Sequence, residues 1–406
     1  MTVTVKGVAI VLAVLAAVVG LAACGSSGGS SSSSPADSAA TEGTATTPVN
    51  DELNGKDTIG AILPLTGSSA AVGKDLAQGM ELAVARVNSE GGVLGKELEV
   101  LIEDTEGATT GAVQAARKLV TSNHVPLVIG EYLSADTIAA GKYLQSNGIV
   151  HINSGSSSAE IADIGPYSFS TIGLDTLTGA YAAETLWNAG VKKIAFLGAN
   201  NTYGAEFAKV LAEKFPELGG EVVESILYTE GQSSYQSELN RLKESDAEMY
   251  VLATYGPDNG PIYKGAFQLG MNPEQFYGIY LSICIEGVEP QAIAGQQGQD
   301  LGYIGASGEQ YVEEYEARFG EPPATPYSDF SYDAVMMAAA AINEAESTDP
   351  AAIQQALKEV GNDYEGASGT ITFDSDNQRE EVPFEILKVD DAGEMVPQPE
   401  FVKPEL

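Results

Sequence analysis

The sequence predicts an α/β protein with two doubly wound lobes, each a parallel β-sheet with helices on both faces. From Asp57 onward, short apolar runs alternate with amphipathic helical patterns, as in parallel sheets with crossover helices. The alternation begins again at Lys193, so the chain contains two such series. The full length of 406 residues is sufficient for two domains of ordinary size.

The first series holds four predicted strands with helices between them. Apolar, largely β-branched runs predict the strands, at 59–63, 98–102, 126–129 and 149–152. Amphipathic patterns predict the helices, at 72–89, 110–121 and 134–147.

The second series repeats this arrangement and is followed by a helical region. Its strands are predicted at 194–197, 222–227, 249–253 and 276–279, and its helices at 203–215, 234–244 and 260–270. Further helices are predicted at 307–319, 329–346 and 350–359, then a hairpin that pairs 370–373 with 383–389. Parallel sheets bind ligands at the carboxyl ends of their strands, so we expect a binding cleft between the lobes.

The N-terminal residues have the order of an export signal. Lys6 precedes an apolar run, Val8 to Val19, which is too short to span ~30 Å of hydrocarbon. Leu21-Ala22-Ala23-Cys24 follows and resembles the lipobox of bacterial lipoproteins. We therefore expect a signal peptide at 1–23, a lipid on Cys24 and a disordered Gly/Ser-rich tether at 24–55. The alternative is an ordinary signal peptide with a chance cysteine.

The charge balance excludes one class of partner. The chain has 57 acidic and 20 basic residues, a net charge of −37. Nucleic acid binding requires clustered Lys and Arg, so nucleic acid is not an expected partner. Solubility is the default explanation of the acidity. After lipidation of Cys24 only Cys284 remains, so the fold has no internal disulfide.

A secreted hydrolase is the alternative class, and the motifs do not favour it. The only histidines are His124, in a polar turn, and His151, within a predicted strand. Neither belongs to a nucleophile-elbow pattern, and Cys284 has no histidine near it in sequence. Metal-ligand spacing is also absent from the sequence. We expect no enzymatic activity, no cofactor and no metal.

Several motifs resemble the type I periplasmic binding proteins of the branched-chain amino acid and amide group. The matching stretches are Leu63-Pro64-Leu65-Thr66-Gly67, Gly79 to Val84, Asn88 to Lys96, Glu103-Asp104, Val128-Ile129-Gly130 and Ala199 to Gly204. The resemblance implies two lobes joined by three crossings of the chain, near Gly173, Ala306 and Glu380. Lobe 1 would then be 57–173 plus 306–380, and lobe 2 would be 174–305 plus 381–406.

The resemblance also implies ligand-binding residues at two strand-to-helix junctions. Ser134 would bind a ligand carboxylate, Gly155 would offer its carbonyl, and Ser157 its amide and hydroxyl. A helix N-terminus favours anions because its N–H groups are free and its dipole end is positive. The alternative is that Ser134 caps its helix and that the serines of the second junction cap a short helix at 158–163.

Further cleft residues are implied in or near the second lobe. Tyr203, Tyr255 and Tyr327 match aromatic positions of the family cleft, where a tyrosine combines apolar area with a hydroxyl. Packing alone is the alternative for each. Asp175 matches an acid near the first crossing, with ligand contact and a hinge or capping role as equal alternatives.

One position departs from the family pattern. Members that bind α-amino acids carry an acid after the strand at 276–279, and here that position is Tyr280. A neutral phenol cannot balance a buried ammonium as a carboxylate can. A family tyrosine in a lobe 1 loop is also replaced, by Val72. Glu286 or Glu131 could supply the missing acid.

Tyr280 therefore predicts weak binding of leucine, isoleucine and valine. Ligands without the ammonium, such as aromatic acids, keto acids or amides, should bind better. The whole pattern predicts a monomeric, lipid-anchored, extracytoplasmic binding protein that delivers a small amino acid-like, amide or carboxylate ligand to an ABC transporter permease. The alternative is a ligand-binding sensor partner for aromatic or keto acids, which the same fold can also serve.

Overall fold

Two separate β-sheets organise the chain in the computed structural model, which describes residues 56–302, 305–325 and 327–404. The predicted signal peptide, Cys24 and the tether lie outside the described residues. The described residues belong to one compact unit.

Each predicted strand and helix is present, with bounds that differ by a few residues. The structure adds elements that were not predicted, namely strands at 168–170, 297–301, 364–366 and 395–398 and helices at 175–188 and 281–285. The strands are β1 (Lys56–Leu63), β2 (Glu97–Asp104), β3 (Leu127–Ile129), β4 (Val150–Asn153), β5 (Ser168–Ser170), β6 (Lys193–Ala199), β7 (Glu221–Tyr228), β8 (Met249–Ala253), β9 (Phe276–Ile279), β10 (Gln297–Leu301), β11 (Tyr364–Gly366), β12 (Gly369–Ile371), β13 (Phe384–Val389) and β14 (Met395–Gln398). The helices are α1 (Ala70–Ser89), α2 (Thr109–Thr121), α3 (Ser134–Ser146), α4 (Asp175–Asn188), α5 (Thr202–Leu218), α6 (Gln236–Glu244), α7 (Asn259–Gln268), α8 (Leu281–Ile285), α9 (Gly305–Phe319), α10 (Ser328–Ala345) and α11 (Pro350–Val360).

The first sheet is parallel throughout and has the order β2-β1-β3-β4-β5. Along β3, Leu127 and Ile129 belong to the cluster that contains α1 and α10 residues. Val128 between them belongs to the cluster formed with α2 and α3. Successive side chains of a strand point to opposite faces, so this alternation places helices on both faces of the sheet.

The second sheet has seven strands in the order β14-β13-β10-β9-β8-β6-β7. Strands β6 to β10 are parallel to one another, and β13 is antiparallel to both β10 and β14. In β8, Met249 and Val251 join one core cluster, and Tyr250 joins another. The predicted architecture of two parallel-sheet lobes with helices on both faces is therefore confirmed, with two antiparallel strands added at one edge.

The predicted hairpin between 370–373 and 383–389 is wrong. Strand β12 pairs with β11 instead, and β13 pairs with β10 and β14. Arg379 explains the difference, since its side chain is buried and donates to the carbonyl oxygens of Ser368 at 2.7 Å and Thr370 at 2.9 Å. This contact holds the segment near β12, and the chain then enters the second sheet at Phe384.

The chain passes between the two sheets three times, after β5, after β10 and before β13. Arg379, in the third passage, also donates to the carbonyl oxygen of Thr171 in the first, at 2.9 Å. Burial lowers the pKa of Arg379 to about 10, and the Asp333 carboxylate opposes that shift. The guanidinium therefore stays charged at neutral pH and ties two of the passages together.

Within the part of the chain that the structure describes, no helix is both long enough and apolar enough to cross a membrane.

Candidate ligand-binding site

Loops from the carboxyl ends of strands in both sheets meet at a cavity of about 250 Å³. The cavity therefore lies at the edge where parallel sheets bind ligands. The residues that line it are Ser68, Ser69, Gly107, Tyr132, Leu133, Ser134, Ala135, Asp136, Gly155, Ser157, Asn201, Thr202, Tyr203, Glu230, Tyr255, Ile283 and Tyr327. Six of the eight predicted ligand-binding residues are among them: Ser134, Gly155, Ser157, Tyr203, Tyr255 and Tyr327.

Ser134 is the first residue of α3, and the capping alternative for it is wrong. The residue at the N-cap position is Leu133, and no side chain caps the helix. Ser134 and Ala135, the first two residues of the helix, line the cavity. They form a donor-rich surface suited to a carboxylate or a carbonyl oxygen.

Gly155 and Ser157 belong to the loop that follows β4. A β-carbon on Gly155 would lie 3.1 Å from the Glu131 carbonyl oxygen and from the Tyr132 Cα, so the close packing of these two loops depends on glycine. The cap of the following 3-10 turn, Ala159–Ile164, is Ser158, whose side chain accepts from the Glu160 N–H. The capping role therefore falls to Ser158.

Four tyrosine rings line the cavity and form two edge-to-face pairs. Tyr203 and Tyr255 have ring centroids 5.7 Å apart and an interplanar angle of 79°. Tyr132 and Tyr327 are 5.8 Å apart, also at 79°. Burial raises the pKa of all four phenols, so they remain neutral at physiological pH. Tyr132 was not among the predicted site residues.

Asp175 and Tyr280, the other two predicted site residues, lie beneath the cavity wall. Both are buried, and neither belongs to the lining residues. The Tyr280 ring packs against Tyr327 at 5.8 Å, and its hydroxyl lies 2.9 Å from Thr178 Oγ1. Burial raises the pKa of Asp175 well above its usual range. Direct ligand contact by these two residues stays a prediction.

The two glutamates proposed to replace the missing acid lie elsewhere. Glu131 is buried and accepts from Thr105 Oγ1 at 2.6 Å and from the Leu133 N–H at 2.5 Å. Burial raises the pKa of Glu131 to about 7. Glu286 is exposed and lies beside a smaller hollow, together with Val72. Neither glutamate lines the main cavity.

Glu230 is the acid that sequence reasoning missed. It follows β7 and lines the cavity from the second lobe. Its carboxylate accepts from the Tyr255 hydroxyl at 2.9 Å and from Asn201 Nδ2 at 3.1 Å. Asn201 is held in turn as the N-cap of α5, where its Oδ1 accepts from the Gly204 N–H. The Thr-Glu-Gly sequence around Glu230 is typical of an exposed loop, so the pattern gives no signal.

The histidines and the cysteine occupy environments unsuited to catalysis. His151 is buried between Ser168 Oγ, at 2.9 Å, and the Gly130 carbonyl oxygen, at 2.5 Å, and burial lowers its pKa to about 4. His124 is exposed. Burial raises the pKa of the Cys284 thiol to about 12, so the thiolate that a nucleophile requires does not form. Among the residues with described positions, no His, Cys, Asp and Glu side chains form a group suited to a metal ion.

Comparison with known proteins decides the family. A model of the family "periplasmic binding protein" matches residues 57–394, which include the strands of both sheets except β14 and the first residue of β1. The chain is a member of the periplasmic binding protein family. It is therefore a binding protein and not an enzyme.

Relatives of this binding protein agree with the assignment. A Leu/Ile/Val-binding protein homologue from Brucella abortus is 26% identical over 346 residues, which cover 79% of this chain and 86% of the homologue. A branched-chain amino acid transporter substrate-binding protein from Streptococcus pneumoniae, solved with isoleucine, superposes with a TM-score of 0.76. It is 24% identical, and the match covers 86% of this chain and 100% of that one.

A third comparison extends the range of ligands seen on this fold. A solute-binding protein of an ABC transporter from R. palustris, solved with benzoate, has a TM-score of 0.73 and is 20% identical. The match covers 87% of this chain and 100% of the other. At these identities the two solved structures show the shared fold.

Proposed function

We propose that this periplasmic binding protein is the lipid-anchored substrate-binding component of an ABC importer. It captures a small ligand in the cavity between the two sheets and closes around it. The observation that carries the proposal is the composition of the cavity wall, to which loops of both sheets contribute. A ligand that contacts both sides stabilises the closed arrangement through its differential affinity for that state.

The first lobe supplies the donors for one end of the ligand. Ser134 at the start of α3 and Ser157 after β4 line the same cavity. Isoleucine and benzoate, the ligands of the two structural neighbours, both carry a carboxylate. A carboxylate or amide oxygen at the α3 N-terminus is the corresponding role in this chain.

The lobes are those expected from the sequence: 57–173 plus 306–380, and 174–305 plus 381–406. The three passages between the sheets support these boundaries. Helix α4, directly after the first boundary, packs against α5 of the second lobe. Short passages of this kind permit the hinge motion by which two-lobed proteins close on ligands.

The membrane anchor is the lipid on Cys24, with the chain outside the cytoplasm. Support comes from the order of charge, apolar run, small residues and cysteine in the first 24 residues. The names of similar proteins, which refer to Leu/Ile/Val binding and to an ABC transporter, support a permease as the partner.

Native mass spectrometry of the purified protein tests the proposal, because a co-purified small molecule appears as added mass. Binding of that molecule should raise the melting temperature by mass action. Small-angle scattering should show a smaller radius of gyration with the molecule than without it. A molecule that binds in this cavity and leaves the radius unchanged would contradict capture by closure.

A further inference from the structure

The described residues of the cavity lining include acidic side chains and no basic ones. Among the lining residues that the structure describes, Asp136 and Glu230 are acidic, and none is Lys, Arg or His. The two acids approach from opposite lobes, Asp136 from the first turn of α3 and Glu230 from the loop after β7. A ligand that is only an anion would meet two carboxylates and no cationic side chain.

Glu230 is positioned for a ligand. Its Oε1 accepts from the Tyr255 hydroxyl, and its Oε2 accepts from Asn201 Nδ2. The same Asn201 group lies 2.6 Å from the Tyr255 hydroxyl, so the three side chains form a closed set of contacts. An ionised carboxylate has about four acceptor sites, and these two bonds leave others open. The side chain is exposed, so those sites are accessible from the cavity.

Asp136, the other acid of the lining, has a buried carboxylate oxygen without a donor in the part of the chain that the structure describes. Its side chain is only 3% exposed, and its Oδ1 accepts from Thr109 Oγ1 at 2.5 Å. Its Oδ2 is buried and has no hydrogen-bond partner among the described residues. A buried acceptor without a donor is costly, and a donor from a ligand in the cavity would remove that cost.

The aromatic lining favours the same type of ligand. Tyr132, Tyr203, Tyr255 and Tyr327 surround the cavity, and Tyr255 also touches Glu230. The faces of phenol rings attract cations, and sets of such rings with a nearby acid bind ammonium groups.

We propose that the ligand carries a positively charged nitrogen, an ammonium, alkylammonium or guanidinium group, bound by Glu230 and the tyrosine rings. The proposal rests on the proposed function, namely that this cavity holds the transported ligand. The carboxylate or amide end lies at Ser134 on the first lobe, and the positive end lies at Glu230 on the second. An ω-ammonium carboxylate fits this arrangement. An α-amino acid does not, because its ammonium is next to its carboxylate, where Tyr280 supplies only a phenol.

This inference changes the expectation from Tyr280 alone. The sequence predicts that ligands without an ammonium bind better than leucine. In the cavity, the acid that would bind a positively charged ligand group is Glu230 and not a residue at position 280. Leucine should still bind weakly. Aromatic and keto acids should also bind weakly, because the lining, as far as the structure describes it, has two carboxylates and no cationic side chain to balance a net negative ligand.

Matched probes test the proposal by titration calorimetry and thermal shift. One pair is 4-aminobutyrate and pentanoate, which has a methyl group in place of the ammonium. The other is 4-(trimethylammonio)butyrate and 5,5-dimethylhexanoate, its isostere with carbon in place of the charged nitrogen. Leucine and benzoate complete the set. In at least one pair, the cationic member should bind about tenfold or more tightly than its isostere, the scale of a charge-assisted hydrogen bond.

Substitutions test whether Glu230 causes the preference for the cationic probe. Glu230→Gln should lower the affinity for the cationic probe roughly ten- to hundredfold. The affinity for the isostere without the positive charge should stay the same within about twofold. Glu221→Gln is the matched control, because Glu221 is an exposed glutamate at the opposite end of β7. It should change neither affinity.

The outcomes separate this inference from the proposed function. Failure of both cationic probes to bind, or equal binding of probe and isostere in both pairs, would overturn the positively charged ligand. Tight, closure-inducing binding of leucine or benzoate would overturn it as well, and would leave the importer function intact. A cationic probe that binds through Glu230 without reducing the radius would support the inference and contradict capture by closure.

Discussion

Gly173 faces Val382 so closely that a β-carbon on the glycine would lie 2.0 Å from Val382 Cγ2. The two residues belong to different passages of the chain between the sheets, the first and the third. Glycine at 173 is therefore required by space at the point where the lobes are joined.

Gly173→Ala should destabilise the protein by about 1–3 kcal/mol, the usual cost of forcing a methyl group into a packed site. Urea unfolding measures the free energy. Val382→Ala removes the opposing methyl groups, so the double variant should be more stable than the sum of the single effects predicts. Additive losses would show that the clash is relieved elsewhere.

Ser134→Ala should weaken ligand binding by roughly 1–3 kcal/mol, the scale of a hydrogen bond to a charged group. Its effect on the free energy of unfolding should be smaller, because Ser134 does not cap α3. Titration calorimetry and urea unfolding of the same variant measure the two quantities.

The control for Ser134 is a true helix cap away from the cavity. Asp349 accepts from the Ala351 and Ala352 N–H groups at the start of α11. Asp349→Ala should cost about 1 kcal/mol of stability and leave affinity unchanged. Equal losses of stability and affinity in Ser134→Ala would show that Ser134 has a structural role and does not bind the ligand.

Glu131 should make stability depend on pH. Burial raises its pKa from 4.5 to about 7, so the folded state holds the proton more tightly than the unfolded chain. Its contribution is fully present below pH 4.5 and is lost as the pH rises through 7, a change of order 3 kcal/mol. Glu131→Gln removes this titration, so its stability relative to the wild type should increase between pH 4.5 and 7.

The difference between variant and wild type is the informative quantity, because His151 acts oppositely. Its pKa falls from 6.5 to about 4 on burial, so its contribution is present above pH 6.5 and is lost as the pH falls toward 4. The difference curve cancels this effect. A flat difference curve between pH 4.5 and 7 would mean that Glu131 titrates normally in the folded protein.

Cys24 should determine membrane association. The wild-type chain should partition with membranes, and Cys24→Ala should be soluble or retain its signal peptide. Fractionation followed by mass spectrometry of the mature N-terminus measures both. A wild-type chain that begins elsewhere and carries no added lipid mass would exclude the anchor.

The alternation of strands and helices could be predicted because it depends on local patterns. Strand β8 is a continuous apolar run, buried on both faces, and its bounds match the prediction at Met249 and Ala253. Strand β10 was missed because Gln297, Gln299 and Asp300 look like a loop. In the fold Gln299 accepts from the Tyr277 hydroxyl at 2.9 Å, so tertiary hydrogen bonds permit polar side chains in a buried strand.

Both lobes contribute cavity residues that were predicted, and both contribute others that were not. The family resemblance implied Ser134, Gly155 and Ser157 at strand-to-helix junctions, and the helix N-terminus gives a physical reason for the first of them. Glu230 stands in an ordinary polar loop, and only its contacts with Tyr255 and Asn201 mark it. Contacts between segments distant in sequence cannot be read from a single sequence.

The three passages between the sheets also determine when the protein can fold during synthesis. The first sheet is complete in the nascent chain at Ser170, but α10 and α11, which pack with it, emerge from the ribosome only after β10. The second sheet waits for β13 and β14, which come later still. Neither lobe can close its core until these later elements have been synthesised, and a chain that stays open that long can still be threaded through a membrane.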